Sequence, residues 1–160
     1  MSLPQRKISL GFSHKKVPEG QHICYIYNDD QERLDVMAKY LKSGQEEKEK
    51  LLYLVDSMTS EDMLRFLEES GIDFNGAIPG EVTVSDALPS YCPEGLFKTE
   101  EMLELVKNFY LGAIDEGYAG ARGTGEMGWC LNGCKVSYSD LMNYEARLNQ
   151  LIKQYPYTAC

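Results

Sequence analysis

Between Gly117 and Asn132 the chain reads GYAGARGTGEMGWCLN, and five of those residues are glycines: Gly117, Gly120, Gly123, Gly125 and Gly128. Glycine at that density leaves backbone bare or bent where side chains would otherwise crowd it. A strand that leaves a helix and runs into such a segment belongs at the carboxyl edge of an α/β sheet, the edge at which ligands bind. Arg122, Glu126 and Trp129, the only tryptophan, stand among these glycines. A cation, an acid and a large aromatic so placed suit a small-molecule pocket, with Trp129 as apolar wall and the charged pair orienting a polar group. An internal Arg–Glu ion pair beside a core tryptophan would use the same residues structurally.

The rest of the chain alternates strand and helix patterns. His22–Tyr27 is β-rich and apolar on both faces, as expected of a central parallel strand. Asn28, Asp29 and Asp30 then cap a helix with Leu34, Met37, Ala38 and Leu41 on one face, and Ser43-Gly44 reads as its end. Gln45–Lys50 reads as a solvated charged linker, and Leu51–Val55 as a second buried strand. Thr59 and Asp62 have capping-box spacing for a helix carrying Met63, Phe66 and Leu67. The 72–80 segment is loop-like, and Glu81–Asp86 alternates as a third strand. Leu88–Phe97 reads as a rigid loop, followed by a helix from Thr99 to about Glu116, a strand near Tyr118–Gly123, a helix begun by Ser139-Asp140, and a short strand from Tyr157. This order predicts an α/β three-layer sandwich with a mainly parallel sheet. Residues 1–20 read as a basic lead-in with Ile8, Leu10 and Phe12, and residues 21–160 as a single domain.

The first unit has the layout of a RecA-like nucleotide-binding core, but its phosphate loop is missing. Where a glycine-rich loop with Lys and Ser/Thr would cradle phosphates, this chain has Asn28-Asp29-Asp30-Gln31-Glu32-Arg33. Three acids suit a helix N-terminus and oppose a triphosphate. ATP hydrolysis is therefore not expected. The net charge of −9 argues against direct nucleic-acid binding. Neither a secretory signal nor an apolar run of membrane-spanning length is visible, so a cytoplasmic location without membrane contact is expected.

Several motifs together resemble the MEDS family, the methanogen/methylotroph DcmR-type sensory domain, from about Gly20 to Cys160. They are HICYIY with its acidic turn, the Gly44-to-Tyr53-Leu54-Val55-Asp56 crossover, Tyr91 ahead of Gly95-Leu96-Phe97, and above all ARGTGEMGWCL. The resemblance implies a RecA/KaiC-like, P-loop-derived core and a non-catalytic sensor of small organic compounds such as hydrocarbon derivatives. It implies service in prokaryotic signalling or transcription regulation, beside a kinase or DNA-binding output partner. A homodimer is compatible with such a role, although no heptad specifies one.

Other residues join the candidate site. Tyr27 lies at the carboxyl end of its expected strand, and Tyr91 on a loop reaching the same edge. His22 reads as a hydrogen-bonded core histidine that could also contact a ligand or act as a switch. The five cysteines, Cys24, Cys92, Cys130, Cys134 and Cys160, show no framework spacing and read as reduced thiols. Cys92, Cys130 and Cys134 with His22 would carry a redox or metal switch as an alternative function, with an ATP-binding protein of atypical phosphate loop as another. No cofactor and no bound metal are expected, and Glu126, without a partnered nucleophile or second carboxylate, does not amount to an enzyme's site.

Overall fold

The computed structural model describes residues 6–75 and 81–160; the remainder of the expected 72–80 loop lies outside the described residues. Its centre is a four-stranded, wholly parallel sheet in the order β4-β3-β5-β6, formed by β3 (Glu49–Val55), β4 (Val82–Asp86), β5 (Gly120–Gly125) and β6 (Thr158–Ala159). Two short strands, β1 (Lys7–Ile8) and β2 (Val17–Pro18), pair antiparallel beside it. The helices are α1 (Asp30–Glu46), α2 (Ser60–Glu69), α3 (Ala87–Tyr91), α4 (Thr99–Asp115) and α5 (Tyr138–Gln154).

The three layers follow from the twofold alternation of β3. Leu51, Tyr53 and Val55 face a core made with Ile8, Leu10, Met37, Tyr40, Leu41, Met63 and Leu67, hence with α1, α2 and the β1–β2 hairpin. Leu52 and Leu54 face a second core with Tyr91, Met102, Val106, Tyr144 and Leu148, hence with α3, α4 and α5. Each fully buried aliphatic side chain contributes about 1.5–3 kcal/mol relative to exposure, so both faces are committed. The segment expected as a lead-in thus supplies Ile8 and Leu10 to a core.

Four local expectations are corrected. His22–Tyr27 is not a central strand: His22 makes a single parallel bridge to Ala159, and Ile26 is 85% exposed. The place beside β5 is taken by β6, with Arg122 opposite Thr158 and Gly123 opposite Ala159. Helix α1 does not stop at Gly44. An added Cβ there would lie 2.6 Å from Leu51 Cδ2 and 2.7 Å from Arg122 Cδ. That glycine lets the helix lie close on the sheet and does not end it. Glu49 is no part of a solvated linker, because β3 begins there and its side chain is buried between Arg6 and Arg122. Within the expected 88–97 loop, residues up to Tyr91 are helical as the end of α3.

Helix boundaries follow their caps. The Asp29 carboxylate accepts from Glu32 N at the start of α1, and Thr59 Oγ1 from Asp62 N at the start of α2. Ser137 and Asp140 close a capping box on α5. Such a cap is worth about 1 kcal/mol.

Candidate functional site

Strand β5 offers opposite chemistry on its two faces. Arg122 and Thr124, opposite Leu51 and Tyr53, face α1, whereas Gly123 and Gly125, opposite Leu52 and Leu54, face α4 and α5. On the glycine face the missing side chains make room for phenols. A Cβ on Gly123 would sit 1.8 Å from the Tyr157 hydroxyl, and one on Gly125 would sit 2.2 Å from the Tyr91 hydroxyl. The third phenol, Tyr144, is buried in the same core. Burial pushes all three phenols well above their ordinary pKa, so they stay protonated and able to donate.

These groups adjoin a cavity of about 520 Å³ at the carboxyl edge of β5. Its volume falls in the range of small-molecule sites. Gly123 to Gly128 bound one side, and His22 to Tyr25 with Cys160 bound the other. Met102, Val106 and Leu148 supply the apolar floor.

The polar end of the cavity is a closed network around Glu126. Its Oε1 accepts from Arg33 Nη1 and from the Tyr53 hydroxyl, the latter at 2.7 Å. Its Oε2 accepts from the backbone N–H groups of Asp56 at 2.7 Å and Ser57 at 2.6 Å. Arg33 Nη1 also donates to Tyr53 at 3.1 Å, and its Nε to Asp30 at 3.4 Å. Burial and the neighbouring Glu126 carboxylate raise the Tyr53 pKa far beyond the ordinary phenol range. This network joins the ends of β3 and β5 to the first turn of α1.

The expected site residues separate into two groups. Tyr27, Tyr91, His22 and Glu126 line the cavity. Tyr27 is half exposed, with the Arg33 guanidinium 5.9 Å from its ring centre. His22 lies at the rim, its Nδ1 3.1 Å from Asn149 Oδ1 and its Nε2 3.2 Å from Glu145.

Arg122 and Trp129 do not line it. Arg122 is fully buried on the α1 face, where it pairs with Glu49 and donates from Nη1 to Tyr40 O at 3.0 Å and Ser43 Oγ at 2.8 Å. Trp129 is 1% exposed and stacks on Tyr91 and Phe97, with centroids 4.6 and 5.4 Å away. The charged partner at the cavity is Arg33, which sequence reasoning treated only as the last residue of the acidic turn. Tyr144 and Tyr157 were read as helix and strand residues; for Tyr157 the signal lay in Gly123, whose missing side chain makes room for its hydroxyl.

The cysteines are the clearest correction. Cys92 and Cys134 form a disulfide across 42 residues, so they are not reduced thiols in this structure. Cys24, Cys130 and Cys160 are free. Burial raises Cys160 to about 11, with Cys24 as the second cause. Among the described residues no cluster of three or more His, Cys, Asp or Glu side chains is arranged to hold a metal ion. Nor is any helix there long and apolar enough to cross a membrane.

Comparison with known families gives a match over most of the chain. The model of the MEDS family, described as the MEthanogen/methylotroph, DcmR Sensory domain, matches residues 21–160. No curated protein matches the chain.

Proposed function

The chain belongs to the MEDS family of sensory domains, and from that premise we propose that it senses a small, uncharged organic molecule held in the cavity beside β5. The observation that carries this reading is the cavity itself: apolar on its floor, glycine-lined on one wall, and furnished with protonated phenols. Such a site favours an apolar body with one hydrogen-bond acceptor, which fits a hydrocarbon derivative. An anion is disfavoured, because Arg33 is already engaged by Glu126, and Asp56 and Glu145 also line the space. The start of α1 is likewise committed: Asp29 caps it, and Glu32 accepts from both Asn28 nitrogens and from the Tyr25 hydroxyl. That arrangement supports the reading of a phosphate loop replaced by acid.

The role is binding without turnover. Glu126, the one residue at the sequence-defined site suited to general-base work, has its oxygens occupied by four donors. Occupancy would reposition the 88–97 and 123–134 segments, which carry the exposed Leu96 and Leu131, and pass the change to a kinase or DNA-binding partner.

The test is ligand-observed NMR with benzyl alcohol, on the native protein and on Val106→Phe, which fills the floor. Saturable binding by the native protein and its loss in a folded variant are expected. Absence of binding by benzyl alcohol and other neutral fragments overturns the reading, and micromolar Mg-ATP binding abolished by Glu126→Ala would replace it with a nucleotide site.

A further inference from the structure

The Cys92–Cys134 bond lies behind the cavity wall rather than at a remote surface. Cys92 follows Tyr91 directly at the end of α3, and the Tyr91 hydroxyl lies over Gly125 inside the site. Cys134 ends the turn that follows Trp129, and Trp129 stacks on Tyr91 at 4.6 Å. Tyr91 is therefore held from two directions, by the covalent bond next to it and by the indole under it. Beyond these, the two loops meet through a short backbone pairing: Lys135 N donates to Gly95 O at 3.1 Å and Phe97 N to Lys135 O at 3.4 Å. Cys134 is partly exposed whereas Cys92 is buried, so Cys134 is the end of the bond that lies nearer to an external thiolate.

We propose that the Cys92–Cys134 pair is a thiol–disulfide switch that sets the affinity of the adjoining cavity, the oxidised form being the binding-competent one. The inference rests on the cavity being a ligand site. In the switching step a thiolate of a low-molecular-weight or protein dithiol attacks Cys134 Sγ and releases the Cys92 thiolate, which takes up a proton. The second thiol of the reductant then displaces Cys134 from the mixed disulfide. The protein gains two electrons and two protons, and the dithiol leaves as a disulfide.

With the bond open, Tyr91 keeps its stacking contact but loses the covalent tether of its loop. It samples positions other than the one that shapes the wall, so ligand must first restore order. Linkage makes the effect reciprocal: ligand that prefers the oxidised form must favour oxidation by the same factor.

Two measurements decide it. Benzyl alcohol affinity is determined by titration for oxidised protein, for protein reduced with dithiothreitol, and for the double variant Cys92→Ser/Cys134→Ser, with far-UV circular dichroism of each. Expected is about tenfold weaker binding for both forms that lack the disulfide, at unchanged secondary structure, within the usual range of coupling between sites. The dithiol–disulfide equilibrium, read by mass after alkylation in graded dithiothreitol, should shift by the same factor when benzyl alcohol is saturating. Equal affinity in all three forms overturns the switch and leaves the sensing site intact. Loss of secondary structure on reduction also overturns it, since the bond is then only a staple. No binding in any form overturns the ligand site and the switch with it.

Discussion

Arg33, in the first turn of α1, and Glu126, just beyond β5, form an ion pair across 93 residues of chain. Both side chains are largely buried, and the tyrosine between them, Tyr53, hydrogen-bonds to each. Removing one partner leaves a charge in a poorly hydrated place, whereas removing both does not. Glu126→Ala is expected to cost about 3–5 kcal/mol. In a double-mutant cycle with Arg33→Met, urea denaturation should give a non-additivity of about 1–3 kcal/mol, the double variant being more stable than the sum predicts.

The glycine face of β5 makes an independent prediction. Gly125→Ala forces its new methyl group against the hydroxyl of Tyr91, which is stacked on Trp129 and must shift to make room. A loss of about 1–3 kcal/mol in stability is expected, together with weakened binding of benzyl alcohol. Thermal melts and the same NMR titration check the two parts separately.

Stability should fall at high pH and stay flat near neutrality on account of the phenols. Burial raises the pKa of Tyr40, Tyr53, Tyr91, Tyr144 and Tyr157 in the folded state. The folded form therefore holds their protons more tightly than the unfolded chain does. Their contribution is complete below the unfolded phenol value of about 10 and is lost as pH rises beyond it. Absorbance at the tyrosinate band should show the exposed tyrosines ionising first and the buried set only with unfolding. Ionisation of all eleven tyrosines in one smooth step with the fold intact would contradict this.

Thiol counting addresses the disulfide directly. Alkylation in denaturant without reductant should modify three cysteines, Cys24, Cys130 and Cys160, and all five after reduction. Reduction should lower the unfolding free energy by about 2–4 kcal/mol, as a chain-entropy constraint of this kind implies.

Much of this architecture can be read from local pattern, and the exceptions share a cause. Thr59 with Asp62 announced the start of α2, and the run Leu51–Val55 announced a strand buried on both sides. His22–Tyr27 carried an equally apolar pattern, yet Thr158 and Ala159 occupy the place beside β5. Competition between two segments for one sheet edge is a tertiary event, invisible to periodicity. Glu49 looked like linker because its burial depends on Arg6 and Arg122, both distant in sequence. The cavity's edge and four of its lining residues were legible from the glycines, Glu126, Tyr27, Tyr91 and His22. Arg122 and Trp129 share that motif with Glu126, but strand alternation turned Arg122 to the other face and Phe97 and Tyr91 enclosed Trp129.

The trio of Arg6 with the buried Glu49 and Arg122 has a practical corollary. Kinship begins at residue 21, but cohesion begins earlier, because Arg6 shares with Arg122 the pairing of a carboxylate buried at the start of β3, and Ile8 is fully buried in the core beside α1. A fragment trimmed to the family boundary would keep every residue that the likeness is built on and still lack the residues that finish the α1 side of the sheet.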